Sequence, residues 1–203
     1  MSERRTQEER RSEAERKLVS AAAELVAEIG PSRVTLANVG ERAGYSRGLA
    51  THHFGSKGAL MQRLVEAVTQ QFREALVDHP GEPLDELLRL IGIYFDVMSD
   101  LQPVNRARLV LWADAVTTPS DDIRPAMVAA DREFREAIEK RLRLAVTAEQ
   151  LVAVNAHGLA TVIIAMLRGV ALQSLIDDAV DLAAARAEIE ALVTARLQKE
   201  NHA

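Results

Sequence analysis

The sequence contains no cysteine, and only 3% of its 203 residues are aromatic. Without cysteine, disulfide bonds, thiolate metal sites and cysteine catalysis are excluded. Hydrophobic residues nevertheless make up 48% of the chain, and alanine, leucine and valine supply most of them. Because few segments alternate strictly between apolar and polar residues, this composition favours an all-α fold over a sheet. The length allows one large domain or two small ones with a sizeable core.

The chain also lacks a long apolar segment. Its longest largely apolar run, Leu159–Leu167 (LATVIIAML), is shorter than the roughly 20 residues that span a bilayer. Residues 1–17 (MSERRTQEERRSEAERK) have no apolar core of the kind that a secretory signal needs. We therefore expect a cytoplasmic protein with no membrane partner.

Charge is unevenly distributed, although the net charge of the chain is only −5. Residues 31–64 contain five basic residues and one acidic residue, which gives this segment a net charge of +4. Residues 81–203 contain 13 basic and 19 acidic residues, a net charge of −6. A cationic patch on an acidic chain is typical of a region that meets an anion such as DNA. Ordinary scatter of surface charge is the alternative that these counts leave open.

Apolar residues at helical spacing predict helices along most of the chain. Residues 1–16 alternate acids and bases, and this pattern predicts a charged, partly disordered arm. The first helix follows the arm and ends at Gly30, just before Pro31, a strong helix-ending pair.

Capping residues set the limits of the next three helices. Thr35, Ser46 and Ser56 are the predicted N-caps, because their hydroxyl groups can accept a hydrogen bond from the first turn. Gly44 and Gly55 are predicted to end the two shorter helices, since glycine readily takes the left-handed conformation of a helix exit.

A break at Asp78–Pro83 (DHPGEP) separates these helices from five more. We therefore predict two domains, residues 17–78 and residues 79–203. The later predicted helices are one that carries Leu84 to Met98, then Val104–Val116, Ile123–Val146, Ala148–Ile176 and Asp181–Gln198.

The stretch Gly44–Leu60 (GYSRGLATHHFGSKGAL) is rich in reactive residue types, but it fits no catalytic or metal site. Its GSKG segment lacks the spacing of a phosphate loop, and no predicted strand precedes it. His52 and His53 project about 100° apart on a helix and cannot bind one ion. Ser46 and Ser56 stand at helix caps, without a general base and acid in the pattern. We predict no enzyme activity, no metal and no cofactor.

The same stretch fits a helix-turn-helix, in which a tight turn joins two short helices and the second enters the major groove. Residues 35–43 supply the first helix, residues 44–45 the turn and residues 46–54 the second helix. In the second helix Ala50 and Phe54 can face the core. The outward residues, which can contact bases or phosphates, are Arg47, Gly48, Thr51 and His52. The alternative is three small helices of an ordinary bundle.

Val34–Val68 resembles the DNA-binding domain of the tetracycline-repressor-type (TetR) family of transcriptional regulators. The residues that match the family pattern in register are Thr35, Val39, Ala43, Gly44, Ser46, Gly48, His53, Phe54, Ser56, Lys57 and Leu60. The family's usual Leu-Tyr pair is Ala50-Thr51 here, which removes a common aromatic contact with DNA.

The resemblance implies that residues 46–53 enter the major groove and that Thr35, His53 and Lys57 contact phosphates. Residues 17–78 would then form the DNA-binding domain, and residues 79–203 the effector-binding and dimerisation domain. The candidate DNA-binding residues are Thr35, Ser46, Arg47, Gly48, Thr51, His52, His53 and Lys57.

The family also implies an effector pocket among the helices of residues 84–176. Candidate pocket residues are the larger or polar ones on otherwise apolar helices: Tyr94, Met98, Trp112 and Asn155. Because no charged cluster marks a ligand class, we expect a largely apolar small-molecule effector. Ordinary core packing is the alternative for these side chains.

A predicted helix that is apolar nearly all round, next to an amphipathic one, requires more cover than this small domain provides. The family resemblance likewise implies a homodimer through its last two helices. Candidate interface residues are His157, Thr161, Arg168, Leu172, Ile189, Leu192 and Val193. Polar contacts at a helix end are the alternative for the first three.

These inferences predict an effector-released repressor that binds a palindromic DNA operator as a homodimer. The alternative is a helical ligand-binding or scaffold protein that no longer binds specific DNA, for which the Ala50-Thr51 departure is the evidence.

Overall fold

A computed structural model describes residues 6–77, 81–100, 102–117, 122–147 and 152–197. Over these residues the chain forms α-helices, a 3₁₀ turn at Pro31–Arg33 and no strand, which confirms the predicted all-α fold. The helices are α1 (Gln7–Ile29), α2 (Leu36–Arg42), α3 (Arg47–Phe54), α4 (Lys57–Ala75), α5 (Pro83–Ser99), α6 (Pro103–Thr117), α7 (Arg124–Thr147), α8 (Ala156–Ser174) and α9 (Leu182–Leu197). Residues 78–80, part of the predicted break, lie outside the described residues.

The structure corrects the predicted arm, because α1 already begins at Gln7. The hydroxyl of Thr6 accepts a hydrogen bond from the Glu9 backbone N–H at 3.2 Å, and the Glu9 carboxylate accepts one from the Thr6 N–H at 2.7 Å. This capping box satisfies backbone donors of the first turn. An i,i+4 pair between Glu13 and Lys17, 3.4 Å apart, supports the next turns. Residues 1–5 of the predicted arm lie outside the described residues.

The chain divides into two compact units. The first unit comprises Met1–Gln70 and Gln102–Val128, and the second comprises Gln71–Leu101 and Ala129–Ala203. This division by packing differs from the predicted boundary at residue 78, because α6 packs against α1 in the first unit. The division by function, into residues 17–78 and 79–203, stays a prediction.

The first unit has a core of aliphatic side chains from α1, α2, α4 and α6. Val34 and Val39, on either side of the start of α2, are fully buried and fit a hydrophobic staple across the Thr35 cap. The other fully buried side chains of this core are Leu18, Ala22, Val26, Ala50, Leu60, Leu64, Ala107 and Leu111. Burial on this scale contributes most of the stability of such a unit.

In the second unit α5, α8 and α9 pack against one another. Their contacts include a close approach at Gly92 of α5, where an added Cβ would lie 2.5 Å from the Arg186 guanidinium. Arg186 of α9 also donates to Asp96 at 3.1 Å and to Glu190 at 2.7 Å. The absence of a side chain at Gly92 therefore lets a charged group of α9 lie against the backbone of α5.

Helix α8 begins later than the predicted range of residues 148–176. Its N-cap is Asn155, whose side-chain oxygen accepts a hydrogen bond from the Gly158 N–H at 3.0 Å. The chain before the cap is tied to the end of α9, since the Val152 N–H donates to the Leu197 carbonyl at 2.9 Å. Residues 148–151 lie outside the described residues.

Among the described helices, α8 alone is long and apolar enough to cross a bilayer by length and composition, with 33% of that segment buried within the chain. The expectation based on residues 159–167 considered only part of this helix. Core helices of soluble proteins pass the same test, so the finding is weak evidence for a membrane span.

Candidate nucleic-acid interface

Helix α2 begins with a reciprocal cap. The Thr35 hydroxyl accepts from the Asn38 N–H at 3.2 Å, and the Asn38 side-chain oxygen accepts from the Thr35 N–H at 2.9 Å. After α2 the chain reverses at Gly44, whose φ of 77° is in the left-handed region. The Tyr45 N–H donates to the Gly40 carbonyl at 2.9 Å and closes this turn. The predicted cap and turn are therefore both present.

Helix α3 lies between two further predicted boundary residues. Ser46 has the extended backbone of an N-cap, but its hydroxyl makes no capping hydrogen bond. At the other end Gly55 has a φ of 75°, and its N–H donates to the Thr51 carbonyl at 2.9 Å. Ser56 caps α4 through its hydroxyl, which accepts from the Ala59 N–H at 3.1 Å.

Helices α2 and α3 cross in close contact at Gly40. A Cβ at this position would lie 2.7 Å from the Ser46 carbonyl oxygen and 3.4 Å from the Arg47 Cα, and both are backbone atoms. A Cβ at Gly48 of α3, in contrast, would meet no atom within 4 Å. Gly40 thus allows the two helices to cross, whereas Gly48 leaves the outer surface of α3 flat.

The two sides of α3 differ in exposure. Ala50 is fully buried, and the half-buried Phe54 packs against the core of the first unit. The residues predicted to face outward are exposed: Arg47, Gly48, Thr51 and His52. The helix therefore presents one polar surface to solvent, and the contact of that surface with DNA stays a prediction.

Three of the predicted DNA contacts already bind other groups of the chain. Arg47 forms an ion pair with Glu41, and the Lys57 ammonium donates to the Ser32 carbonyl at 2.9 Å. The side chain of His53 is only 10% exposed and lies 3.3 Å from the Glu15 carboxylate of α1. The imidazole of His53 must leave Glu15 to reach a phosphate, and its contact with DNA stays a prediction.

Glutamates of α1 neutralise much of the predicted cationic patch. The Arg42 guanidinium donates to Glu28 at 2.7 and 2.8 Å and to Glu24 at 3.2 Å. The hydrogen bond from Arg42 lowers the pKa of Glu28, which keeps this carboxylate charged. Arg63 pairs with Glu15 at 2.6 Å. These glutamates belong to α1, which precedes residues 31–64 in the sequence. A count of the charges within that segment therefore does not include them.

The four effector-pocket candidates are divided between the two units. Tyr94 and Met98 lie buried on α5 in the second unit, where the Tyr94 ring stacks on Phe134 at 6.3 Å. Trp112 belongs to the first unit and packs against its core. Asn155 caps α8. Phe134 has no distinguishing signal in the sequence, because aromatic residues at helical spacing are common in cores.

The candidate dimer residues differ in how far their side chains are exposed to solvent. Ile189 and Val193 are 5% and 1% exposed and pack inside the chain. Arg168 donates two hydrogen bonds to Asp131, at 2.6 and 3.0 Å, and its side chain is 13% exposed. All three side chains thus contact groups of their own chain, and their place in a dimer interface stays a prediction.

Other residues of α8 and α9 face solvent. Leu192 is 58% exposed, as is Val162 at 52%, which sequence reasoning did not single out. His157 and Thr161 are exposed too, although His157 lies 3.1 Å from the Glu139 carboxylate, and Leu172 is half-buried. The exposed aliphatic residues are thus the strongest remaining candidates for a contact with a second subunit.

Residues 18–64, which include α2, α3 and the crossing at Gly40, match the model of the bacterial regulatory proteins of the tetR family. Residues 18–64 therefore carry the DNA-binding region of the TetR family. A TetR-family relative, the HTH-type transcriptional regulator BetI of Escherichia coli, is 28% identical over 109 residues, which cover 51% of this chain and 56% of BetI. The chain therefore spans about half the length of the curated relatives it matches.

Solved structures of TetR-type regulators share the fold over nearly the whole chain. A transcriptional regulator of Saccharomonospora viridis in complex with choline has a TM-score of 0.82 and 19% identity, covering 93% of this chain and all of the regulator. A second neighbour is SmeT, the repressor of the multidrug efflux pump SmeDEF of Stenotrophomonas maltophilia. The structure of its complex with triclosan has a TM-score of 0.77 and 20% identity, and the match covers 93% of each chain. These likenesses confirm an N-terminal helix-turn-helix followed by a helical C-terminal domain.

The crossing of α2 and α3 gives a direct test with two glycines. Gly40→Ala should lower the free energy of unfolding by about 1–3 kcal/mol, because the new methyl group meets backbone atoms that cannot move independently. Gly48→Ala should raise it by up to about 1 kcal/mol, since alanine favours the helix and the methyl group meets open space. Urea unfolding followed by circular dichroism measures both. Equal effects of the two substitutions would contradict the crossing.

Proposed function

We propose that this TetR-family chain binds a specific DNA duplex as a homodimer and represses transcription until a small molecule releases it. The observation that carries the proposal is α3, a short helix with a buried Ala50 and an outer surface of exposed polar residues around Gly48. Such a surface fits the major groove, where side chains can donate to base edges and phosphates. Such a regulator works in the cytoplasm, as the sequence also predicts.

Several predicted contacts suit this role in different ways. The exposed Arg47 and His52 can turn from solvent to the base edges, and Thr51 is short enough to let the helix approach. Thr35 and Ser46 stand at the starts of α2 and α3, where helix N–H groups favour a phosphate. Lys57 must exchange its bond with Ser32 for one with DNA.

The alternative function, a helical ligand-binding or scaffold protein without specific DNA binding, is favoured by the same internal contacts. Arg47, His53 and Lys57 all bind groups of the chain, and acids of α1 reduce the positive charge beside α3. Breaking these contacts has a cost, although exposed ion pairs such as that of Arg47 contribute only about 0–1 kcal/mol. DNA binding therefore requires few changes in the unit, and we favour it.

Selection of bound genomic fragments with purified protein, followed by titration of the best duplex, tests DNA binding. Arg47→Ala should weaken binding to that duplex by about 1–3 kcal/mol, because it removes a donor to bases or phosphates. Gly48→Ala should also weaken it, although the variant is stable, since its methyl group keeps the helix from the groove.

Arg143→Ala is the matched control for Arg47→Ala. Arg143 is an exposed arginine of α7 that pairs with Glu139, as Arg47 pairs with Glu41, so both variants lose the same charge. The control should bind as the unchanged protein does. If the protein enriches no fragment, or if Arg47→Ala binds as tightly as the control, the proposed interface is wrong.

The homodimer is tested on α9. Leu192→Asp should convert a dimer to monomers in sedimentation velocity, because it buries a charge in an apolar contact between subunits. Leu144→Asp places the same charge on α7, where Leu144 is 50% exposed, and should leave the dimer intact. A dimer that survives Leu192→Asp would place its interface elsewhere.

The effector is expected to pack against the aromatic pair of Tyr94 and Phe134 in the second unit. The ligands of the two structural neighbours, triclosan and choline, are suitable probes because the first is largely apolar and the second is a cation. Triclosan should raise the melting temperature and release the duplex, and Phe134→Ala should reduce both effects. Stabilisation by choline alone would show that the effector is cationic, since aromatic faces also bind quaternary ammonium groups.

A further inference from the structure

One carboxylate joins three helices of the first unit. Glu15 of α1 accepts a hydrogen bond from Arg63 of α4 at 2.6 Å, and its other oxygen lies 3.3 Å from the imidazole of His53 in α3. In the sequence His53 lies 38 positions after Glu15, and Arg63 lies 48 positions after it. We call Glu15, His53 and Arg63 the Glu15 clasp.

The imidazole of the clasp is held from two sides. The side chain of His53 is 10% exposed, and its ring packs edge-on against Phe54 with ring centres 4.7 Å apart. Phe54 in turn packs against the core of the first unit. His53 therefore connects the last turn of α3 to both the core and α1.

Charged groups from two helices surround His53 in a surface hollow. Glu15 and Arg11 belong to α1, and Arg63 and Glu66 belong to α4. The hydrogen bond from Arg63 lowers the pKa of Glu15 and so keeps its carboxylate ionised at neutral pH. The carboxylate 3.3 Å from the imidazole is thus negatively charged at neutral pH.

Helix α3 buries few of its own side chains. It has eight residues, and among them only Ala50 is fully buried, a side chain that contributes little apolar area. An isolated helix of this length is not stable in water, so tertiary contacts must fix it. Gly40 holds its first turn against α2, whereas the clasp holds its last turn.

We propose that Glu15 is a positioning residue that fixes the exit end of the recognition helix α3 through His53. The inference rests on the proposed function, because α3 must be the element that reads DNA. The position of the last turn of α3 therefore depends on the contact between Glu15 and His53.

The test compares Glu15→Gln with Glu66→Gln on the duplex selected from genomic fragments. Both variants lose one negative charge beside the same hollow, and Glu66 pairs with Arg63 within α4. Simple electrostatics predicts that both bind DNA more tightly. Positioning predicts that Glu15→Gln instead binds the selected duplex about tenfold more weakly, while its binding to an unrelated duplex does not fall.

A double substitution tests whether Glu15 acts through His53. Adding His53→Gln to Glu15→Gln should cause little further loss, since both substitutions remove one contact.

Hydrogen exchange of the α3 amides in the protein without DNA separates positioning from unfolding. Faster exchange in the last turn of α3, with unchanged exchange in α1 and α4, is expected for Glu15→Gln and not for Glu66→Gln. Binding by Glu15→Gln as tight as that of Glu66→Gln overturns the inference while leaving the proposed function intact. Failure of the unchanged protein to select any duplex overturns both. If Glu15→Gln does not fold, His53→Gln alone must show the same loss of binding and the same faster exchange in the last turn of α3, or the inference fails.

Discussion

The contact that the candidate interface depends on is the crossing of α2 and α3 at Gly40. Here the backbone of one helix lies against the backbone of the next, with no side chain between them. This close approach places Ala50 in the core, and the burial of Ala50 turns Gly48 and its polar neighbours outward. The orientation of α3 therefore follows from one missing side chain, together with the left-handed turn at Gly44.

The fold pairs basic residues of the cationic segment with carboxylates from another part of the chain. The basic residues beside α3 include Arg42 and Arg63, and both bind carboxylates of α1. These bonds hold α1 to the helix-turn-helix and lower its net positive potential. A basic segment of the sequence is thus partly a set of connections within the unit. The exposed Arg47, paired only at the surface, is better suited to exchange its partner for DNA.

The second unit uses polar residues in a similar way. Arg168, a predicted interface residue, binds Asp131, and Arg186 lies against the backbone at Gly92. Both arginines therefore connect helices of one chain. The exposed aliphatic residues Val162 and Leu192 are left on the surface of α8 and α9. These apolar positions, rather than the charged ones, are therefore where a second subunit is expected to pack.

The sequence by itself determined the local features: the all-α class, the cap at Thr35, the turn at Gly44 and the exit at Gly55. Such features depend on residues within three or four positions of each other, and their chemistry is readable from the order of residues. Only the tertiary structure decided that Glu15 meets His53, because ion pairs across distant helices have no signal in local spacing. It also decided that Ile189 and Val193 pack inside their own chain. Periodicity in the sequence identifies an apolar face of a helix but not what covers that face.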